Sequence, residues 1–133
     1  MRNLVLLAGL ICSQLLTAQT KQLETFYFNG KVKSEYTYQN ESNYFVKNFY
    51  QTGVLMEKGQ FENGLMHGVW KRYDENGLLQ ATGEYNKGFK QGEWTIYNPI
   101  NQSKTRVLYE RNRILKSIET DAAGNTVAER INN

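Results

Sequence analysis

Histidine occurs once in the 133 residues, at position 67, so no metal site built on two imidazoles can form. Acid–base chemistry would have to use carboxylates, and the candidates are Glu57, Glu62, Asp74, Glu75, Glu84 and Glu93. All six fall in expected turns or on the polar side of expected strands, where a carboxylate is solvated rather than held against a partner. His67 stands directly before Gly68 in an expected turn, and the matching position 24 residues on is Gln91, so imidazole chemistry is not required there. Neither a Gly-x-Gly-x-x-Gly run nor a phosphate-loop lysine is present. The sequence therefore implies no enzyme, no cofactor and no metal. What it supplies in quantity is aromatic rings, with 9 Tyr, 6 Phe and 2 Trp, and the chemistry of rings is burial and contact. Tyr36, Tyr38, Phe61, Trp70, Tyr85, Trp94 and Tyr109 recur at regular spacing and form the candidate interaction face.

The elements that must carry these rings are strands. Eleven Gly against a single Pro, together with the aromatic content, favours strands and tight turns over helices. Lys31 to Tyr38 alternates, with Val32, Ser34, Tyr36 and Tyr38 on one side and Lys33, Glu35 and Thr37 on the other. The pattern returns at Val54 to Phe61, at Leu78 to Tyr85 and more faintly at Thr105 to Tyr109. Two positions before the closing aromatics stand Tyr36, Gly59, Gly83 and Val107. A glycine inside a strand weakens it unless something large packs over the bare backbone, so Trp70 and Trp94 are expected to lie across Gly59 or Gly83. Turns separate the strands at Asn63-Gly64, Asn76-Gly77 and Asn86-Lys87-Gly88, and Asn29-Gly30 is expected to make a two-residue hairpin turn.

The stretch Gly64 to Tyr85 is followed by a copy of itself. At an offset of 24, Gly64 falls on Gly88, Gly68 on Gly92, Trp70 on Trp94 and Tyr73 on Tyr97. Gly68-x-Trp70-x-x-Tyr73, Gly77, Gly83-x-Tyr85 and Gly88-x-x-x-Gly92-x-Trp94 resemble the MORN repeat, in the variant found in bacterial antitoxin-like and other secreted proteins. The resemblance runs well over Phe26 to Tyr97 and poorly over Thr105 to Gly124. It implies an all-β fold, an elongated single-layer antiparallel meander of tandem β-hairpins, with non-enzymatic work in protein contact or scaffolding, lipid association in some members, and no catalytic residues to carry over. Phe26-Tyr-Phe-Asn-Gly30 also resembles the aromatic-glycine repeats of cell-wall and glucan-binding modules, but those repeats are shorter and lack Gly-x-Trp-x-x-Tyr.

The expected organisation is a helical signal peptide at 1–18, a polar lead-in at 19–25, a repeat domain at 26–124 with about two clear and two degraded units, and a C-terminal tail at 125–133. Met1-Arg2-Asn3 is a positive start, Leu4 to Leu16 an apolar run, and Leu16-Thr17-Ala18 a cleavage site before Gln19. The run is shorter than the roughly 20 residues that a membrane span takes. Ile11 before Cys12 disfavours a lipoprotein, which needs a small residue there. Cleavage removes the only cysteine and excludes a disulfide framework. A net charge of +3, with Lys and Arg interleaved with acids, gives no basic stripe for nucleic acid. The expectation is an exported, periplasmic or extracellular, binding or scaffold module. Its partner would be a protein or a second copy, with a glycan- or lipid-binding module as the alternative.

Overall fold

A computed structural model describes residues 20–132, and residues 1–19, which hold the expected signal peptide and Cys12, lie outside the described part. The chain forms one antiparallel sheet of ten strands whose spatial order is their chain order. The strands are β1 (Lys21–Phe26), β2 (Val32–Tyr38), β3 (Asn43–Phe49), β4 (Leu55–Glu62), β5 (Leu65–Tyr73), β6 (Leu79–Asn86), β7 (Phe89–Tyr97), β8 (Lys104–Glu110), β9 (Arg113–Thr120) and β10 (Thr126–Ile131). The expected open meander of hairpins is what the chain builds. It reaches further than the sequence suggested, because the polar lead-in supplies β1 and the tail supplies β10. Backbone pairing with a strand already in place does not require an apolar side chain, so polar residues can extend a sheet at its edges.

Two kinds of turn alternate. Along one border β2 and β3 close through the four residues 39–42, and the later strands close through two-residue turns with both central residues at positive φ: Asn63 (51°) with Gly64 (75°), Lys87 (50°) with Gly88 (82°), and Arg111 (49°) with Asn112 (69°). These angles match the twist of the flanking strands. Along the opposite border the turns are longer. Tyr27 N–H donates to Lys31 O and Gly30 N–H to Tyr27 O, and the same pair of bonds recurs at Tyr50 to Val54, Asp74 to Leu78 and Asp121 to Asn125. Asn29-Gly30 is therefore not a two-residue turn. Only Gly30 takes a positive φ (80°), at the end of a wider loop.

Successive hairpins are tied at both borders. Gly88 N–H donates to Met66 O and Asn112 N–H to Lys90 O, so each tight turn is anchored on the preceding hairpin. On the far border the Tyr27 hydroxyl donates to Phe49 O at 2.6 Å and the Tyr50 hydroxyl to Tyr73 O at 2.9 Å.

Pairing is uninterrupted between β2 and β3, whereas β5 carries two extra residues against β4. Lys58 faces Lys71 and Gln60 faces His67, so Gly59 stands opposite Gly68, Val69 and Trp70. β7 repeats this against β6, where Thr82 faces Thr95 and Glu84 faces Gln91. Gly68 (φ 66°) and Gly92 (φ 68°) turn the backbone through the insertion. This bulge, rather than the tight turn, fixes the second glycine of each Gly-x-x-x-Gly. His67 accordingly lies inside β5 rather than in a turn.

Candidate functional site

The register places Tyr36, Tyr38, Phe61, Trp70, Tyr85, Trp94 and Tyr109 on one face of the sheet. They form a continuous row from β2 to β8 in which each ring touches the next. Tyr44, which the sequence pattern left out, bridges Tyr38 and Phe61 with centroid distances of 5.2 and 5.0 Å. The row continues from Phe61 to Trp70 (5.5 Å), Tyr85 (6.0 Å), Trp94 (5.0 Å) and Tyr109 (6.1 Å). Crossing seven strands, it is roughly 29 Å long at the usual strand spacing.

Both Trp side chains are buried in a sheet with no second layer, and the reason lies beneath them. A Cβ at Gly59 would fall inside the indole of Trp70, and one at Gly83 inside that of Trp94. Each Trp thus covers the glycine of the strand before it. The indole N–H is satisfied in place, Trp70 Nε1 donating to Gln60 O at 3.2 Å and Trp94 Nε1 to Glu84 O at 3.0 Å. The Tyr and Phe rings are only half-buried, so the face is roofed over its tryptophans and open along its flanking rings. Burial raises the pKa of the Tyr85 phenol above the ordinary tyrosine range, with the Glu57 carboxylate and Tyr109 adding to the effect. Burial likewise raises that of Tyr44, beside Tyr38 and Tyr36.

A polar line runs beside the rings. Ser34 Oγ donates to Asn48 Oδ1 (2.8 Å), Asn48 Nδ2 donates to Glu57 Oε1 (2.8 Å), and Arg72 Nη1 lies 3.9 Å from Glu57 Oε2. Glu57 therefore stands on the aromatic face and not on the polar face expected of it, because it shares alternation with Gly59 and Phe61. Past Arg72 the line turns apolar, through Ala81 and Ile96. There a trough of about 390 Å³ opens, bordered by Arg72, Trp70, Tyr85, Lys90, Trp94 and Ile96 among others. Lys90 was not legible as a site residue. Its ammonium lies 4.7 Å from the Trp94 centroid and 5.1 Å from that of Tyr109.

The opposite face is mixed, with Phe45 and Val69 bordering one shallow hollow with Lys58 and Lys71, and Leu108 exposed near Glu93. His67 Nε2 lies 3.3 Å from Glu62 Oε2, while Nδ1 has no partner. Its counterpart Gln91 uses Oε1 to accept Arg111 N–H at 3.2 Å. Among the described residues no cluster of His, Cys, Asp and Glu could hold a metal ion, and no helix is long and apolar enough to cross a membrane.

Comparison with curated proteins gives no match. A family model described as MORN repeat variant matches residues 19–40, 46–63 and 66–87. The first and third blocks contain the hairpins β1–β2 and β5–β6, and the second takes in most of β3–β4, so each is centred on one of the longer turns. β7–β8 and β9–β10 continue the same sheet beyond the matched span, with Asn98 to Ser103 and Asp121 to Asn125 closing the turns. With three consecutive copies running from residue 19 to residue 87, the chain belongs to the MORN repeat variant family.

Proposed function

We propose that this chain is an exported, non-enzymatic module, periplasmic or extracellular after cleavage near Ala18-Gln19, that binds a protein partner through the aromatic face of its sheet. MORN repeats are often protein- or membrane-binding modules. The observation that carries the reading is the unbroken row from Tyr36 to Tyr109, with its Tyr and Phe rings half-exposed on a single-layer sheet. Contiguous apolar surface of that extent, on a single layer, is where a second molecule gains most by covering it. The glycan alternative has less behind it: a stacking platform needs a free ring face, and both indoles are buried, each with one face on a glycine. Toxin neutralisation is one form that protein binding could take.

Photo-crosslinking in the source cell tests the reading. A benzophenone side chain replacing Phe61 or Tyr109 should give a discrete protein adduct, and one replacing Val69 on the other face should not. Equal labelling from both faces, or none from the aromatic face, would sink it. Mass spectrometry of the exported chain should find its first residue at Gln19, and retention of residues 1–18 would remove the export claim.

A further inference from the structure

Between the two clear units, the exchanges on the aromatic face that change charge gather at one place. Glu57 and Ala81 occupy equivalent positions 24 residues apart, as do Met66 and Lys90. At the first of these the carboxylate stands at the edge of the trough, held by Asn48 and near Arg72. At the second, the methyl of Ala81 leaves the space over the sheet open, and the trough lies there. The other exchange puts a cation at its rim. No carboxylate of the described residues is within ion-pair distance of Lys90, whose ammonium instead lies near the rings of Trp94 and Tyr109. Arg72, at the opposite rim, is held only by the 3.9 Å approach to Glu57.

We propose that the trough receives an extended acidic segment of a partner protein, with a Leu or Phe side chain over Ala81 and an Asp or Glu carboxylate meeting Lys90 or Arg72. The proposal rests on the protein-binding reading above and names its partner. Charge complementarity selects the occupant: three cations, Lys71, Arg72 and Lys90, and one carboxylate, Glu57, border a hollow lined by rings, so an apolar group flanked by acid satisfies both parts of the lining. A second copy presenting the same face would bring the same three cations against a single carboxylate, and so the same excess of positive charge.

The only two tryptophans of the chain both border the trough, so their emission reports its occupation. Random octapeptides displayed on phage are selected on the full-length chain, and the enriched sequences are synthesised and titrated. The expected result is enrichment of Asp or Glu beside Leu or Phe, a shift in tryptophan emission on binding, and affinity at least about tenfold weaker for Lys90→Met and for Lys90→Glu. Lys90→Met restores the side chain of the preceding unit, so its folding is not at risk from the loss of charge. Binders without acids, or binders insensitive to both Lys90 variants, would overturn the acidic-segment assignment and leave protein binding standing. Emission shifted by phosphatidylglycerol vesicles but by no selected peptide would also overturn it. Failure to enrich any peptide, joined to absence of a crosslink from the aromatic face, would remove both readings.

Discussion

The N-terminal hairpins and the central ones solve the same packing problem with opposite choices. Along the middle of the aromatic face, β2 and β3 place Tyr36 beside Val46, whereas β4 with β5 and β6 with β7 place Gly59 under Trp70 and Gly83 under Trp94. At the far end β8 and β9 place Val107 beside Ser117. Val46 is 3% exposed, Trp70 5%, Trp94 7% and Val107 5%, so side chains of very different size are buried equally. What each location keeps is depth of filling. A large residue on one strand is matched by a small one on its neighbour, as close packing requires. The two-residue insertion belongs to the tryptophan solution alone. Where β3 pairs with β2 without it, the position of Gly68 needs no positive φ and holds Tyr44, which extends the ring row. Ring geometry changes accordingly. Tyr44 and Phe61 stack at 18°, while every contact from Phe61 to Tyr109 is edge-to-face at 77–87°.

The largest effect should come from breaking a glycine–tryptophan pair. Gly83→Val expels the Trp94 indole and is expected to cost roughly 3–5 kcal/mol, the range for losing a buried aromatic, measured by urea unfolding. Adding Trp94→Ser rebuilds the Val107–Ser117 combination at this position. The double variant should therefore be less destabilised than the sum of the two single changes by about 1 kcal/mol or more. Strict additivity would refute the depth-of-filling account. Next in size is the insertion itself. Gly68→Ala forces an L residue to φ 66° and should cost about 1–2 kcal/mol, with Gly68→Asn costing visibly less because Asn tolerates that region. Equal losses for Ala and Asn would mean that the backbone conformation is not the constraint. The smallest effect concerns pH. Since folding raises the Tyr85 pKa, the folded state holds the phenolic proton more tightly than the unfolded chain. The stability this contributes is complete below the ordinary tyrosine range near pH 10 and is lost as pH rises through the folded-state value. Tyr85→Phe should flatten that alkaline fall in melting temperature. An unchanged slope would show that the proton is not held more tightly on folding.

Much of this was legible in the chain because it is written twice. The 24-residue copy exposed the strands, the turns at Asn63-Gly64 and Asn86-Lys87-Gly88, and the ring positions. The close approach of Trp to Gly followed from the cost of a bare glycine in a strand, although sequence left open which glycine each Trp covers. The two-residue bulge decides it by displacing Trp70 toward β4. Hidden from sequence were features that depend on departures from the repeat. Tyr44 stands where the clear units have Gly68 and Gly92, so it falls outside the recurring ring positions although it joins the row. Ala81 and Lys90 carry no motif of their own, and only the register shows that they fall together at one trough. β1 and β10 escaped notice because an edge strand is specified by the neighbour it pairs with more than by its own apolar pattern.

The identity of spatial and chain order bears on how the molecule is made. Every strand pairs only with its neighbours in sequence, so each closing contact spans a short loop and none waits on a distant segment. Such a topology has low contact order and favours rapid folding. The hairpins β4–β5 and β6–β7, which hold the tryptophan–glycine contacts and the bonds that the indole N–H groups donate to Gln60 O and Glu84 O, are the natural place to start. From there the sheet can lengthen one hairpin at a time toward either end, as in other linear repeat arrays. Emission from Trp70 and Trp94 would then settle before the outer strands gain protection from hydrogen exchange, and fraying would begin at β1 and β10.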